Sequence, residues 1–156
     1  MKLRAVTRAD IEEFASWRSD PPYDVYDITD PIEQAVDYFL RPQTGCHVIE
    51  LGPNLAAFFT FGADARVPGG DYSKPALDIG LGVRPSLTGR GLGGGFVGAV
   101  VAFARGQTVD PLRVTIATAN QRAITVWRRA GFVETQRFQA AETVLGSDEF
   151  VVLELA

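Results

Sequence analysis

Between residues 77 and 118 the chain runs through an apolar segment, a glycine-rich turn, an amphipathic segment and a second apolar segment, and that order leaves few folds open. Leu77-Asp78-Ile79-Gly80-Leu81-Gly82-Val83 reads as a strand, cut off by Pro85. Thr88-Gly89-Arg90-Gly91-Leu92-Gly93, with Gly94 and Gly95 behind it, then leads into a helix expected from Gly91 to Arg105. Phe96, Val97, Val100, Val101 and Ala104 form its buried side, and Gly106 closes it. Leu112 to Thr118 is the next strand. A strand, a crossover helix and a strand imply a local parallel pair. Glycine, lacking a Cβ, lets the backbone approach a ligand and turn its amides inward. The helix behind the turn adds its unpaired N–H groups and the positive end of its dipole. The turn therefore reads as an anion site suited to a pair of phosphates; a tight turn or close helix packing is the plain alternative.

The other segments surround this unit. Lys2 to Val6 is an expected strand, and Thr7 reads as the cap of a helix with Asp10 three residues on and Ile11, Phe14 and Ala15 as its apolar stripe. Asp30 is expected to cap a second helix, with Pro31 in its first turn and Ile32, Ala35, Val36, Phe39 and Leu40 on one face. Cys46 to Leu51 and Leu55 to Gly62 are strands around Gly52-Pro53-Asn54, and Asp64 to Pro75 is a loop rich in Gly and Pro. Asn120 caps a helix ending at Gly131, and Phe132 to Gln139 and Glu149 to Leu155 are the last strands. The expected fold is α/β (α+β mixed): one domain over residues 1–156, with a central mixed, mostly antiparallel sheet and helices on both faces.

With 46% apolar and 22% charged residues the chain has the composition of a globular domain, which argues against disorder. Its net charge of -4 argues against nucleic acid, whose phosphates call for a basic stripe. One cysteine, Cys46, and one histidine, His47, cannot make a disulfide or a Cys/His zinc site, so no metal is expected. No segment approaches the roughly 20 apolar residues of a membrane span, and MKLRAVTRADIEE carries no signal-type apolar run. A cytoplasmic protein without a membrane partner is expected.

Two familiar phosphate motifs fail. No Gly-Lys-Ser/Thr follows the turn, so it is not a P-loop. Gly89-Arg90-Gly91-Leu92-Gly93-Gly94 formally satisfies the dinucleotide pattern, with Asp110 as its acid. Yet Arg84 to Thr88 separates the strand from the glycines, and Asp110 precedes its strand instead of ending it.

Val83-Arg84-Pro85-Ser86-Leu87-Thr88-Gly89-Arg90-Gly91-Leu92-Gly93 resembles motif A of the GNAT superfamily of acyl-CoA N-acyltransferases: Val-x-Pro, then Gln or Arg, two residues, Gly, one residue, and Gly or Ala. Asn120-Gln121-Arg122-Ala123-Ile124-Thr125-Val126-Trp127-Arg128-Arg129-Ala130-Gly131-Phe132 resembles its motif B. The resemblance proper covers residues 77–138. It implies acetyl-CoA as co-substrate and N-acetylation of an amine, on a small molecule or on a protein N-terminus or lysine. It places the pyrophosphate on the amides of Thr88, Gly89, Arg90, Gly91, Leu92, Gly93 and Gly94. It further implies that the strand of Asp78 to Val83 splays from its neighbour, freeing the backbone of Leu81 and Val83 for pantetheine and the thioester carbonyl. Asn120 would reach the pantetheine arm and Trp127 would lie near the sulfur. The chain departs from the pattern at Thr88, where Gln or Arg is usual, and at Trp127, where a tyrosine often protonates the leaving thiolate. An indole N–H can donate a hydrogen bond but is no acid at neutral pH.

Amine acetylation needs a base and a donor to the developing oxyanion. The expected donor is the amide near Val83. The expected base is Asp78, on the strand beside the thioester, with Gly80 and Gly82 on the same face leaving room around it; an exposed strand carboxylate is the other reading. Tyr23, Asp24, Tyr26 and Asp27 are expected to border the acceptor, where acids and aromatic rings could hold an ammonium; a solvated loop is the alternative. Trp127 equally suits a core position beside Ala123 and Ala130. Neither Cys46 nor His47 is assigned a role, and a homodimer is left open. An acetyl-CoA-binding module without turnover would share the same donor loop.

Overall fold

The computed structural model describes residues 1–144 and 146–156. In chain order the elements are β1 (Lys2–Ala5), α1 (Arg8–Phe14), α2 (Ile32–Leu40), β2 (His47–Leu51), β3 (Asn54–Phe61), β4 (Leu77–Val83), α3 (Gly93–Arg105), β5 (Leu112–Ala117), α4 (Gln121–Arg129), β6 (Val133–Val144) and β7 (Ser147–Leu155). The strands form one 7-stranded sheet in the order β1-β2-β3-β4-β5-β7-β6. Every neighbouring pair is antiparallel except β4 and β5.

Alternation along the strands splits the core between the two faces of the sheet. Val48 and Leu55 turn to one face, where Ile11 and Phe14 of α1 and Ala35 and Val36 of α2 cover them. Ile49, Ala57, Phe59, Val114 and Leu153 turn to the other, against Phe96, Val97 and Val100 of α3 and Ile124 and Trp127 of α4. Helices thus lie on both faces, as the periodicities require.

The capping box at α1 forms as its sequence predicts: Thr7 Oγ1 accepts from the Asp10 N–H at 3.3 Å, and the Asp10 carboxylate accepts from the Thr7 N–H at 2.8 Å. Arg4 adds a two-pronged ion pair to Asp10, at 2.6 and 2.8 Å, and holds its carboxyl below the usual range. At α2 the expected cap is displaced by one residue. Pro31, at φ -53° and ψ 140°, is the cap, and its carbonyl accepts from Gln34 and Ala35 while Asp30 stays outside. The last hairpin is longer than the expected strands, with β6 running on to Val144.

Asp78 is 1% and Arg113 3% exposed, and they form the deepest ion pair described in the molecule. Arg113 Nε and Nη2 donate to the two carboxylate oxygens at 2.6 and 2.9 Å, and Arg66 Nε adds a third bond at 2.8 Å. The Tyr72 ring lies under both guanidiniums, 4.9 Å from Arg113 and 5.6 Å from Arg66. Arg113 gains protonation strength chiefly from the Asp78 hydrogen bonds. Removing one partner leaves a buried charge uncompensated, so Asp78→Ala should lower unfolding free energy by about 3–5 kcal/mol, measured by urea titration.

Candidate active site

Pairing between β4 and β5 stops after Leu77↔Leu112 and Asp78↔Arg113, and beyond that point the strands part. Hydrogen bonds at the ends of β4 show which groups face the gap. The Gly62 N–H donates to the Asp78 carbonyl and the Arg84 N–H to the Ala56 carbonyl, so the even-numbered residues turn their peptide groups to β3. Ile79, Leu81 and Val83 therefore turn theirs toward β5, where no ladder meets them.

At the open end of the gap the chain makes a one-turn 3₁₀ helix, Pro85–Leu87, and then the glycine turn. Gly89 and Gly91 sit at φ 70° and 75°, in the left-handed region where a Cβ is strained. That conformation delays α3 to Gly93, past the Gly91 start expected from the sequence. Among the described residues, no amide from Gly89 through Gly94 donates to a protein acceptor. These N–H groups and the first turn of α3 offer an anion many donors at once.

A cavity of about 1060 Å³ links this loop, the gap and the opposite face of the sheet. Of the expected donor-side residues, Leu81, Val83, Thr88, Gly89, Gly91, Gly93, Gly94, Asn120 and Trp127 line it. Arg90 and Leu92 do not: Arg90 reaches the Ser86 carbonyl at 3.5 Å, and Leu92 packs on the core. Only their amides belong to the loop. Asn120 caps α4, its Oδ1 accepting from the Ala123 N–H at 3.3 Å. Trp127 is both core and wall, 5% exposed and edge-on to Phe132 at 4.9 Å.

On the acceptor side Tyr23, Tyr26 and Asp27 line the cavity, while Asp24 lies outside it. Asp27 is committed to the backbone, its oxygens accepting from the Ser19 N–H at 3.0 and 3.3 Å. Burial raises the Tyr26 hydroxyl pKa, against the opposing pull of the Asn120 side chain. The Arg122 guanidinium stacks 3.9 Å from the Tyr23 ring centre, so the Tyr23–Tyr26 turn and the start of α4 meet over the cavity. Cys46 and His47 point to opposite faces. Burial pushes the Cys46 thiol up to about 12, and His47 stacks on Phe59 at 5.4 Å.

The expected base must be corrected. Asp78 does not line the cavity, and three guanidinium N–H bonds already occupy its oxygens. A base needs a free lone pair within reach of the amine, so Asp78 is a structural anion at the closed end of the gap. The room left by the two glycines is used otherwise. A Cβ on Gly80 would lie 2.7 Å from Thr60 Oγ1, and one on Gly82 would lie 2.5 Å from the Phe58 ring. Both side chains rest on β4 because those glycines are bare. Thr60 Oγ1 in turn donates to Asp64 Oδ2 at 2.6 Å. Asp64 lines the cavity and stays open to solvent there, and the protein packed on its inner side raises its pKa. In the sequence Asp64 merely opens a loop rich in Gly and Pro. Its only local signal is Gly62 at φ 90°, which folds the Ala63–Ala65 turn back over the strand. Phe14, Trp17, Phe39 and Phe58, visible in the sequence only as apolar residues, supply the aromatic wall.

Among the described residues, no three His, Cys, Asp or Glu side chains are grouped to hold a metal, and no helix is long and apolar enough to cross a membrane.

The model of the acetyltransferase (GNAT) domain family matches residues 1–133. No curated protein sequence matches the chain. Among the many solved structures that share the fold, three illustrate the likeness over nearly their whole length. A chimera of the Vibrio cholerae spermidine N-acetyltransferase has TM-score 0.79 and 13% identity, covering 99% of this chain and 93% of its own. The aminoglycoside acetyltransferase AAC(6')-Ib, in complex with coenzyme A, has TM-score 0.79 and 17% identity, covering 99% and 94%. A Salmonella typhimurium acetyltransferase with its cofactor acetyl-CoA has TM-score 0.70 and 19% identity, covering 99% and 92%.

Gly82→Ala should drive the Phe58 ring off β4. The expected loss is about 1–3 kcal/mol of stability, as for other overpacked sites, read by urea titration together with a changed near-ultraviolet aromatic signal.

Proposed function

The chain belongs to the GNAT acetyltransferases, and from that premise we propose that it transfers the acetyl group of acetyl-CoA to a primary amine by direct attack, on a small molecule or on a protein N-terminus or lysine. The observation that carries this reading is the continuity of three features: unpaired amides at Gly89–Gly94, the open side of β4, and a cavity reaching the far face of the sheet.

The residues present suit the co-substrate. The amides of Gly89 to Gly94 would hold the pyrophosphate, with Arg90 and Leu92 contributing backbone only, while the expected Thr88 N–H is spent on the Pro85 carbonyl at 3.2 Å. Leu81 and Val83 would bond pantetheine as an added strand bonds a sheet edge, and Asn120 would reach the same arm. Acetyl-CoA supplies an activated acyl carbon. The Val83 amide then faces the carbonyl oxygen, where a fixed donor is worth most as negative charge develops. Trp127 walls the sulfur end but cannot protonate a thiolate, so the thiolate takes its proton elsewhere. The acceptor approaches from the α1 and α2 face, past Tyr23, Tyr26 and Asp27.

Two measurements test this. Gly91→Ala, at φ 75°, should weaken acetyl-CoA binding at least tenfold by calorimetry, while costing the fold about 1–2 kcal/mol. Trp127→Tyr places an ionisable hydroxyl at the sulfur end and should raise kcat for thiol release with the KM for acetyl-CoA unchanged. An unaltered kcat would leave Trp127 a packing residue. Tight acetyl-CoA binding without thiol release across a broad amine panel would instead make the chain a binding module.

A further inference from the structure

Resting on the acetyl-transfer reading, we propose that Asp64 is the catalytic carboxylate that takes the acceptor's proton, and that the acceptor is a primary amine bearing one positive charge on an apolar, ring-sized body.

Three observations converge. The first is position. Thr60 and Gly80 are register partners on β3 and β4, and Thr60 holds Asp64 over the bare backbone of Gly80, one step from Leu81 in the gap. A side chain at residue 80 would displace Thr60, so the glycine, the threonine and the carboxylate form one arrangement.

The second is availability. Of the two carboxylates lining the cavity among the described residues, Asp27 is spent on the Ser19 amide. Asp64 makes one hydrogen bond, to Thr60, and is in no described ion pair. On its own turn and the adjoining β4 the charged groups are Arg66 and Asp78, which pair with each other, and the other groups lining the same cavity that carry or can carry charge are Tyr23, Tyr26, Asp27, Arg122 and Arg129. Asp64 is open to the cavity, so a lone pair not used by Thr60 can accept a proton from an amine placed there.

The third is the wall. The half-buried Phe58, Phe39 and Trp17 rings meet there, Phe39 edge-on to Phe58 at 5.7 Å and Trp17 6.1 Å from it, over Phe14, which is buried in the core beneath them. Such a surface receives an apolar or aromatic body. A polycation would bring further charges to a cavity with one available carboxylate and the guanidiniums of Arg122 and Arg129 on its rim.

The step balances. The ammonium gives one proton to Asp64, which later releases it to solvent. The freed nitrogen lone pair forms the C–N bond to the acyl carbon, the C–S bond breaks, and the second proton lost by nitrogen ends on the departing thiolate.

The test follows thiol release from acetyl-CoA with 2-phenylethylamine, spermidine, kanamycin and a short peptide amine. The expected order of kcat/KM places 2-phenylethylamine at least tenfold above the others. For it, kcat/KM should rise with pH through an apparent pKa above the ordinary aspartate value, since the deprotonated form is the active one. Asp64→Asn should lower kcat about 100-fold and abolish that limb, with unchanged acetyl-CoA affinity and a melting temperature no lower than that of the parent. Thr60→Val, a positioning change, should move the limb and lower kcat without raising the KM for acetyl-CoA. A preference for spermidine or kanamycin, or an Asp64→Asn enzyme that keeps its rate and pH limb, overturns the proposal while leaving acetyl transfer intact. A parent protein that neither binds acetyl-CoA nor releases thiol overturns the underlying reading instead.

Discussion

The ion pair between Asp78 and Arg113 stands where β4 and β5 cease to be one sheet. On its closed side the sheet is continuous, and on its open side the strands diverge and the peptide groups of Leu81 and Val83 lose a partner strand. Leu81 and Val83 are half-buried and line the cavity, so their free peptide groups open onto it instead of being sealed in the core. The Asp78 carboxylate, its three guanidinium bonds and the Tyr72 ring beneath fix the vertex. The cores on the two faces clamp the diverging strands from either side.

The same opening joins two chemically different surfaces. On the α3 side lies an array of amides made available by left-handed glycines. On the α1 and α2 side lies an aromatic wall beside Asp64, which Thr60 holds. Gly80 and Gly82 matter to both, since their peptide groups pair with β3 while their missing side chains admit Thr60 and Phe58. In the proposed reaction, donor and acceptor would therefore meet across one strand without either occupying the other's place.

Much of this was legible in the residues. Periodicity located each long element, and the Thr7–Asp10 box marked the start of α1. The glycines marked the turn between strand and helix, and two of them take the left-handed conformation that leaves the amides there unpaired. What failed did so for physical reasons. Asp30 yielded the cap to Pro31 because an extended proline can present its own carbonyl to the first turn. Asp78 looked like a base because it interrupts an apolar strand and shares a face with two glycines. That reading could not include Arg113, which is remote in sequence and becomes its partner only through parallel pairing.

Local sequence determined the strand, turn and helix around residue 89, because φ preference, helix polarity and side-chain period act over a few residues. It likewise determined which residues could be buried. Tertiary structure alone decided which carboxylate faces the cavity. Asp64 gained that place, and Asp78 lost it, through the antiparallel register of Thr60 with Gly80 and the parallel register of Asp78 with Arg113. Register between distant strands depends on how both faces of the sheet are packed at once, and no window of sequence carries that information.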